Sequence, residues 1–80
     1  MDEREWLKLF GRNLDRLMLA KGYTMRELAE ASGVGRRNIC GYINGKNWPS
    51  LYNAIQLAGA LDVSVDDLAC LNLSIKEMEI

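Results

Sequence analysis

Apolar residues recur every three or four positions along almost the whole chain, and glycine interrupts the recurrence at Gly22, Gly33 and Gly45. A period near 3.6 gathers such residues on one helical face, and a glycine just past the last of them provides the left-handed residue at which helices commonly end. The chain is therefore predicted to be a succession of short helices. In the first, Trp6, Phe10, Leu14, Leu17 and Met18 form the stripe, and Asp2 with Glu5 three positions on has the pattern of a capping box. Thr24 and Glu27 open the second with another such box, Leu28, Ala29 and Ala31 give it an apolar face, and Gly33 closes it. From Gly35 to Asn44 the spacing of Ile39 and Ile43, with Tyr42 beside them, predicts a third. Pro49 and Ser50 begin a fourth, whose expected inward stripe is Leu51, Ala54, Ile55, Ala58 and Leu61. Ser64 and Asp67 repeat the capping signal ahead of Val65, Leu68 and Leu71. Five helices with short connections make a compact all-α domain over residues 1–72. In the tail, 73–80, neither period holds, so a frayed end and a strand over Ser74–Ile80, pairing with its copy in a second subunit, both stay open.

Eighty residues bury only roughly 60% of the unfolded surface, which allows one core. No apolar run approaches the roughly 18 residues of a membrane span. The acidic opening, Met1 to Leu7, has no apolar h-region, so no secretory signal is expected and the chain is expected in the cytoplasm. Cys40 and Cys70 are far apart, and histidine is absent. Zinc sites of the common spacings and histidine-based catalysis therefore lack their residues. Reduced, packed thiols are expected, with no metal, no cofactor and no enzyme activity.

The net charge of −1 conceals a strong segregation. Between Lys8 and Lys46 stand eight bases and three acids, a balance of +5, whereas residues 47–80 have one base against five acids and residues 1–7 one against three. Such a chain can turn a positive face toward a polyanion while its other end is repelled, so attraction brings orientation with it.

The positive segment contains the residues that carry chemistry. Two short helices, separated by Ala31, Ser32, Gly33 and Val34, span about 24–44, and small residues at Ala29 and Gly33 let the second helix cross the first closely and steeply. That is helix-turn-helix geometry. With Ile39 and Ile43 facing the core, the other faces of the second helix carry Arg36, Arg37, Asn38 and Gly41. Arginine's fork matches O6 and N7 of guanine, and a carboxamide both donates to and accepts from adenine.

These residues resemble the helix-turn-helix domains of phage repressors, Cro proteins and their bacterial relatives, the XRE-like family with the lambda-repressor-like fold. The resemblance runs from about Phe10 to Leu68 through Gly11, Leu14, Lys21 to Thr24, Glu27 to Ala29, Ser32 to Val34, Ile39, Asn44 to Lys46, Pro49, Ser50, Leu57, Ala58 and Leu61 to Ser64. It implies a reading helix starting near Gly35, with base contacts from Arg36, Arg37 and Asn38. It implies phosphate contacts from Thr24, Met25 and Arg26 and, after the reading helix, from Asn44, Lys46 and Asn47.

Three departures from the family pattern stand out. Met25 occupies a position where relatives often have a glutamine that touches phosphate, which leaves its backbone N–H for that contact. Gly41 replaces a residue that commonly reaches a base, so readout is expected in the first helical turn, on a short guanine-containing half-site. Met18 and Ile43 replace an arginine and a glutamate that pair in many relatives, and the joint loss of both charges predicts that these two side chains touch.

Relatives bind as symmetric dimers to half-sites about 34 to 36 Å apart. A homodimer on a pseudo-palindromic operator is accordingly expected, joined through Leu68, Leu71, Leu73 and the tail, with Trp48 as a packing or interface residue. The implied function is transcriptional regulation, as a repressor of phage or mobile-element type. An antitoxin that represses its own operon, with a toxin protein as partner, stays open, as does a protein-binding scaffold in which Arg36 and Arg37 are plain surface charges.

Overall fold

The start signals read from the sequence are used in the structure, a computed structural model that describes residues 2–69. Five helices follow in order: α1 (Glu3–Ala20), α2 (Met25–Ser32), α3 (Arg36–Ile43), α4 (Leu51–Leu61) and α5 (Val65–Ala69). Asp2 Oδ1 accepts the Glu5 N–H at 2.9 Å, and Ser50 Oγ accepts that of Asn53 at 3.0 Å. Thr24 and Glu27 close a reciprocal box, with bonds of 3.1 and 3.0 Å. Ser64 and Asp67 close another, at 3.0 and 3.4 Å. Each satisfies first-turn N–H groups that the helix itself leaves unpaired. A domain end at 72, the interface residues Leu71 and Leu73, Cys70 and a strand over Ser74–Ile80 lie outside the described residues.

Helix ends differ in a way that shapes the molecule. After α1, α3 and α4 the chain closes with two bonds, as in Lys46 N–H to the Gly41 carbonyl at 2.9 Å and Gly45 N–H to that of Tyr42 at 3.0 Å. This double closure reverses the chain sharply. In α4 the left-handed residue is Asp62, at φ 56°, where no glycine announced the stop. At α2 only one such bond forms, from the Gly33 N–H to the Ala29 carbonyl at 2.9 Å. The Val34 N–H turns instead to Ser32 Oγ at 3.1 Å, and Gln56 Nε2 of α4 donates to the Ser32 carbonyl at 3.2 Å. Freed from the second closure, the chain runs directly into α3.

Phe10, Leu14, Met18, Leu28, Val34, Ile39, Tyr42, Leu57, Ala58, Leu61 and Leu68 form the core. Helix α1 packs on α3 and α5, α4 packs on α2 and α5, and α2 and α3 meet each other. Phe10 sets its ring edge-on to Tyr42 at 6.0 Å between centroids. Beside it Gly11 brings the α1 backbone against the carbonyl end of α3. Met18 is buried, and Ile43 is half-buried against the same core.

Two expectations need correction. The inward face of α4 is Ala54, Leu57, Ala58 and Leu61, while Leu51 and Ile55 are 73% and 50% exposed. This helix contains no charged residue, so its apolar spacing admits two faces, and only the neighbouring helices choose between them. Leu68, expected at a dimer interface, is 1% exposed and belongs to the chain's own core. A buried Asn13 was not anticipated: Nδ2 donates to the carbonyls of Asp67 and Leu68 at 2.6 and 3.1 Å, which ties α1 to α5. Its place on the apolar stripe, three residues after Phe10, was the available signal.

Candidate nucleic-acid interface

Among the described residues, helix α3 is held from its core side. Ile39 and Tyr42 enter the core, and the Tyr42 hydroxyl accepts from Asn53 Nδ2 of α4 at 3.0 Å. Helical periodicity then turns Arg37, Cys40, Gly41 and Asn44 outward together. The N-cap is Gly35, which offers no side-chain acceptor, so the first-turn N–H groups of α3 remain available to an anion.

Along this outward face runs an open groove of about 560 Å³, lined by Met25, Arg36, Arg37, Cys40, Gly41, Asn44, Lys46 and Asn47. Its charged lining is Arg36, Arg37 and Lys46, with no carboxylate. Among the described residues no ion pair engages any of these three cations. A cleft lined by one sign of charge focuses its field and draws in a ligand of the other sign.

Six of the nine residues expected at the site thus meet in one groove: Arg36, Arg37, Met25, Asn44, Lys46 and Asn47. The other three stand beside it. Asn38 is exposed, with Nδ2 turned back to 3.6 Å from where a β-carbon on Gly35 would lie. The side chain of Thr24 accepts the Glu27 N–H. Arg26 is paired with Glu30 at 3.4 Å, both largely exposed. The Thr24 N–H and hydroxyl hold the Glu27 carboxyl below its usual range. Met25 packs against the core with its side chain.

Cys40, next to the reading face in the sequence, lies in the groove wall, where Asn44 Nδ2 reaches its Sγ at 3.4 Å. Sequence reading missed the groove's supports rather than its lining. Gln56 and Asn53, both on α4, hold the turn and α3 respectively, contacts 24 and 11 residues apart that no local pattern encodes. Among the described residues no group of three or more histidine, cysteine or acidic side chains could hold a metal ion, and no helix is long and apolar enough to cross a membrane.

Comparison with known proteins agrees with this geometry. The helix-turn-helix family model matches residues 14–68. The restriction-modification controller protein C.AhdI from Aeromonas hydrophila is 39% identical, with a TM-score of 0.74 over 78% of this chain and 94% of that one. The clp gene regulator ClgR from Corynebacterium glutamicum is 27% identical, with a TM-score of 0.75 over 92% and 82% of the two chains. A hypothetical transcription factor, NHTF, from Neisseria is 25% identical, with a TM-score of 0.76 over 86% and 79%. No curated protein matches the sequence. With the family model matched over most of its length, the chain belongs to the XRE-like helix-turn-helix family of DNA-binding transcriptional regulators.

Proposed function

We propose that the chain is a cytoplasmic, sequence-specific repressor that lays α3 in the major groove of double-stranded DNA and acts as a homodimer on a pseudo-palindromic operator. The observation that carries this reading is the groove whose charged lining is three cations, unpaired among the described residues, beside the open first turn of α3. Arg36, Arg37 and Asn38 read bases, while Lys46, Asn44, Thr24, Arg26 and the Met25 N–H meet phosphates. The likeness to a restriction-modification controller, over 94% of that chain, favours a restriction-modification unit as the element controlled.

The test is selection of bound duplexes from a random pool, followed by titration with salt. A specific complex enriches a guanine-containing half-site and weakens by about 0.9 log unit per phosphate contact for each decade of salt. Failure to enrich any sequence overturns the reading in favour of a protein-binding scaffold. Arg36→Ala and Arg37→Ala should each relax one base position by about tenfold. Lys46→Ala should weaken all sequences alike and lower the salt slope by about one. Equal behaviour of all three variants refutes this division of roles.

With Leu68 inside the core, the surface that supports pairing is the outer face of α4 and its flanks, where Trp48, Leu51, Tyr52, Ile55 and Val65 are all exposed. Large apolar side chains left exposed close together, among the described residues, mark an interaction site. The double variant Leu51→Glu, Ile55→Glu should sediment as a monomer with its helicity kept. Its affinity for a full operator should fall by at least about tenfold, since the second half-site is no longer tethered. A wild-type protein that sediments as a monomer, alone and on DNA, removes the dimer from this reading.

A further inference from the structure

The groove-facing row of α3 has a gap. Arg37, Gly41 and Asn44 succeed one another on that face, and at the middle position there is no side chain. The space is filled from elsewhere: a β-carbon built on Gly41 would stand 2.7 Å from Asn47 Nδ2 and 3.8 Å from its Cγ. Asn47, a residue of the loop after α3, therefore lays its carboxamide on the bare helix backbone in the centre of the row that faces the ligand. Both sides of the loop are anchored. On one, Lys46 N–H is bonded to the Gly41 carbonyl at 2.9 Å; on the other, Trp48 packs on Phe10 with 6.3 Å between ring centroids.

We propose that Asn47 is a base-reading residue, in place of the phosphate role that the family resemblance implies, and that Gly41 is glycine to admit it. The proposal rests on the groove being where the duplex docks. Phosphates border the major groove, whereas base edges face the middle of a helix lying in it. A carboxamide at that middle position offers one donor and one acceptor in a plane, the complement of N6 and N7 of adenine. Because the loop is held at both sides of Asn47, little backbone freedom remains to be lost on binding. The base recognised is an adenine adjacent to the guanine read by Arg37.

The experiment compares duplexes selected by the wild-type protein, Asn47→Ala and Gly41→Ala. Wild type should select adenine at one position beside the guanine, and Asn47→Ala should lose about tenfold discrimination there while keeping the preferences set by Arg36 and Arg37. Gly41→Ala should lose the same position, because its methyl group displaces the carboxamide, and should melt no lower than wild type, since only a side-chain end has to move. If Asn47→Ala binds all sequences more weakly by one factor, the residue holds phosphate and the proposal fails while the DNA-binding reading stands. An unchanged set of selected bases in Asn47→Ala has the same meaning. If wild type selects nothing, both fall.

Discussion

Met18→Arg is expected to remove a large share of the stability of this domain, and adding Ile43→Glu to restore part of it. The whole stability of an 80-residue domain is roughly 4–12 kcal/mol. Met18 is 5% exposed within the core, so a lone arginine there must bury its charge at about 3–5 kcal/mol. Ile43 is half-buried at the end of α3, where a lone glutamate keeps some water and costs less. If the two side chains meet, as the joint absence of charge in the sequence suggests, the double variant forms an ion pair and recovers at least about 1 kcal/mol over the sum of the single changes. Urea titration of the four proteins gives the coupling directly. A double variant no better than that sum shows that the side chains do not touch.

Gly11→Ala should lower stability by about 2–3 kcal/mol, which for a domain of this size is roughly 10–20 °C in melting temperature. A β-carbon on Gly11 would stand 2.6 Å from the Ile43 carbonyl oxygen and 3.0 Å from its carbon, and would also meet the Tyr42 carbonyl. These are backbone atoms at the end of α3, and they can yield only if the two helices separate. The intrinsic preference of alanine for a helix, about 1 kcal/mol over glycine, offsets only part of that. Gly41→Ala is the internal comparison, because its methyl group meets only the movable amide of Asn47. The same exchange, made inside two helices of one protein, should therefore lower stability at Gly11 and not at Gly41. Equal melting temperatures for wild type and Gly11→Ala would show that α1 and α3 are not in backbone contact.

Local signals accounted for much of the molecule. Thr24 with Glu27, and Ser64 with Asp67, are pairs three residues apart whose atoms reach each other as soon as one turn forms, so they can be read without knowing the rest. Gly33 similarly announces the turn before α3, since its φ of 75° suits few other residues. The charges of the groove were legible because Arg36, Arg37 and Lys46 stand on and just after one helix whose buried face was set by Ile39. Asp62 shows the limit of such signals: aspartate adopts the left-handed conformation far less readily than glycine, so its place at the end of α4 is only a weak mark in the sequence.

Where helices begin and end, and which side of α3 is charged, follow from interactions over three or four residues, and these are written in the order of the amino acids. Which face of the uncharged α4 turns inward, why Leu68 is enclosed, how Asn13 joins α1 to α5 and how Asn47 comes to lie over Gly41 depend on segments distant along the chain. A side chain with two acceptable surroundings is assigned to one of them only when the other helices arrive. Periodicity sees a residue's own turn of helix, whereas burial is a property of what packs against it.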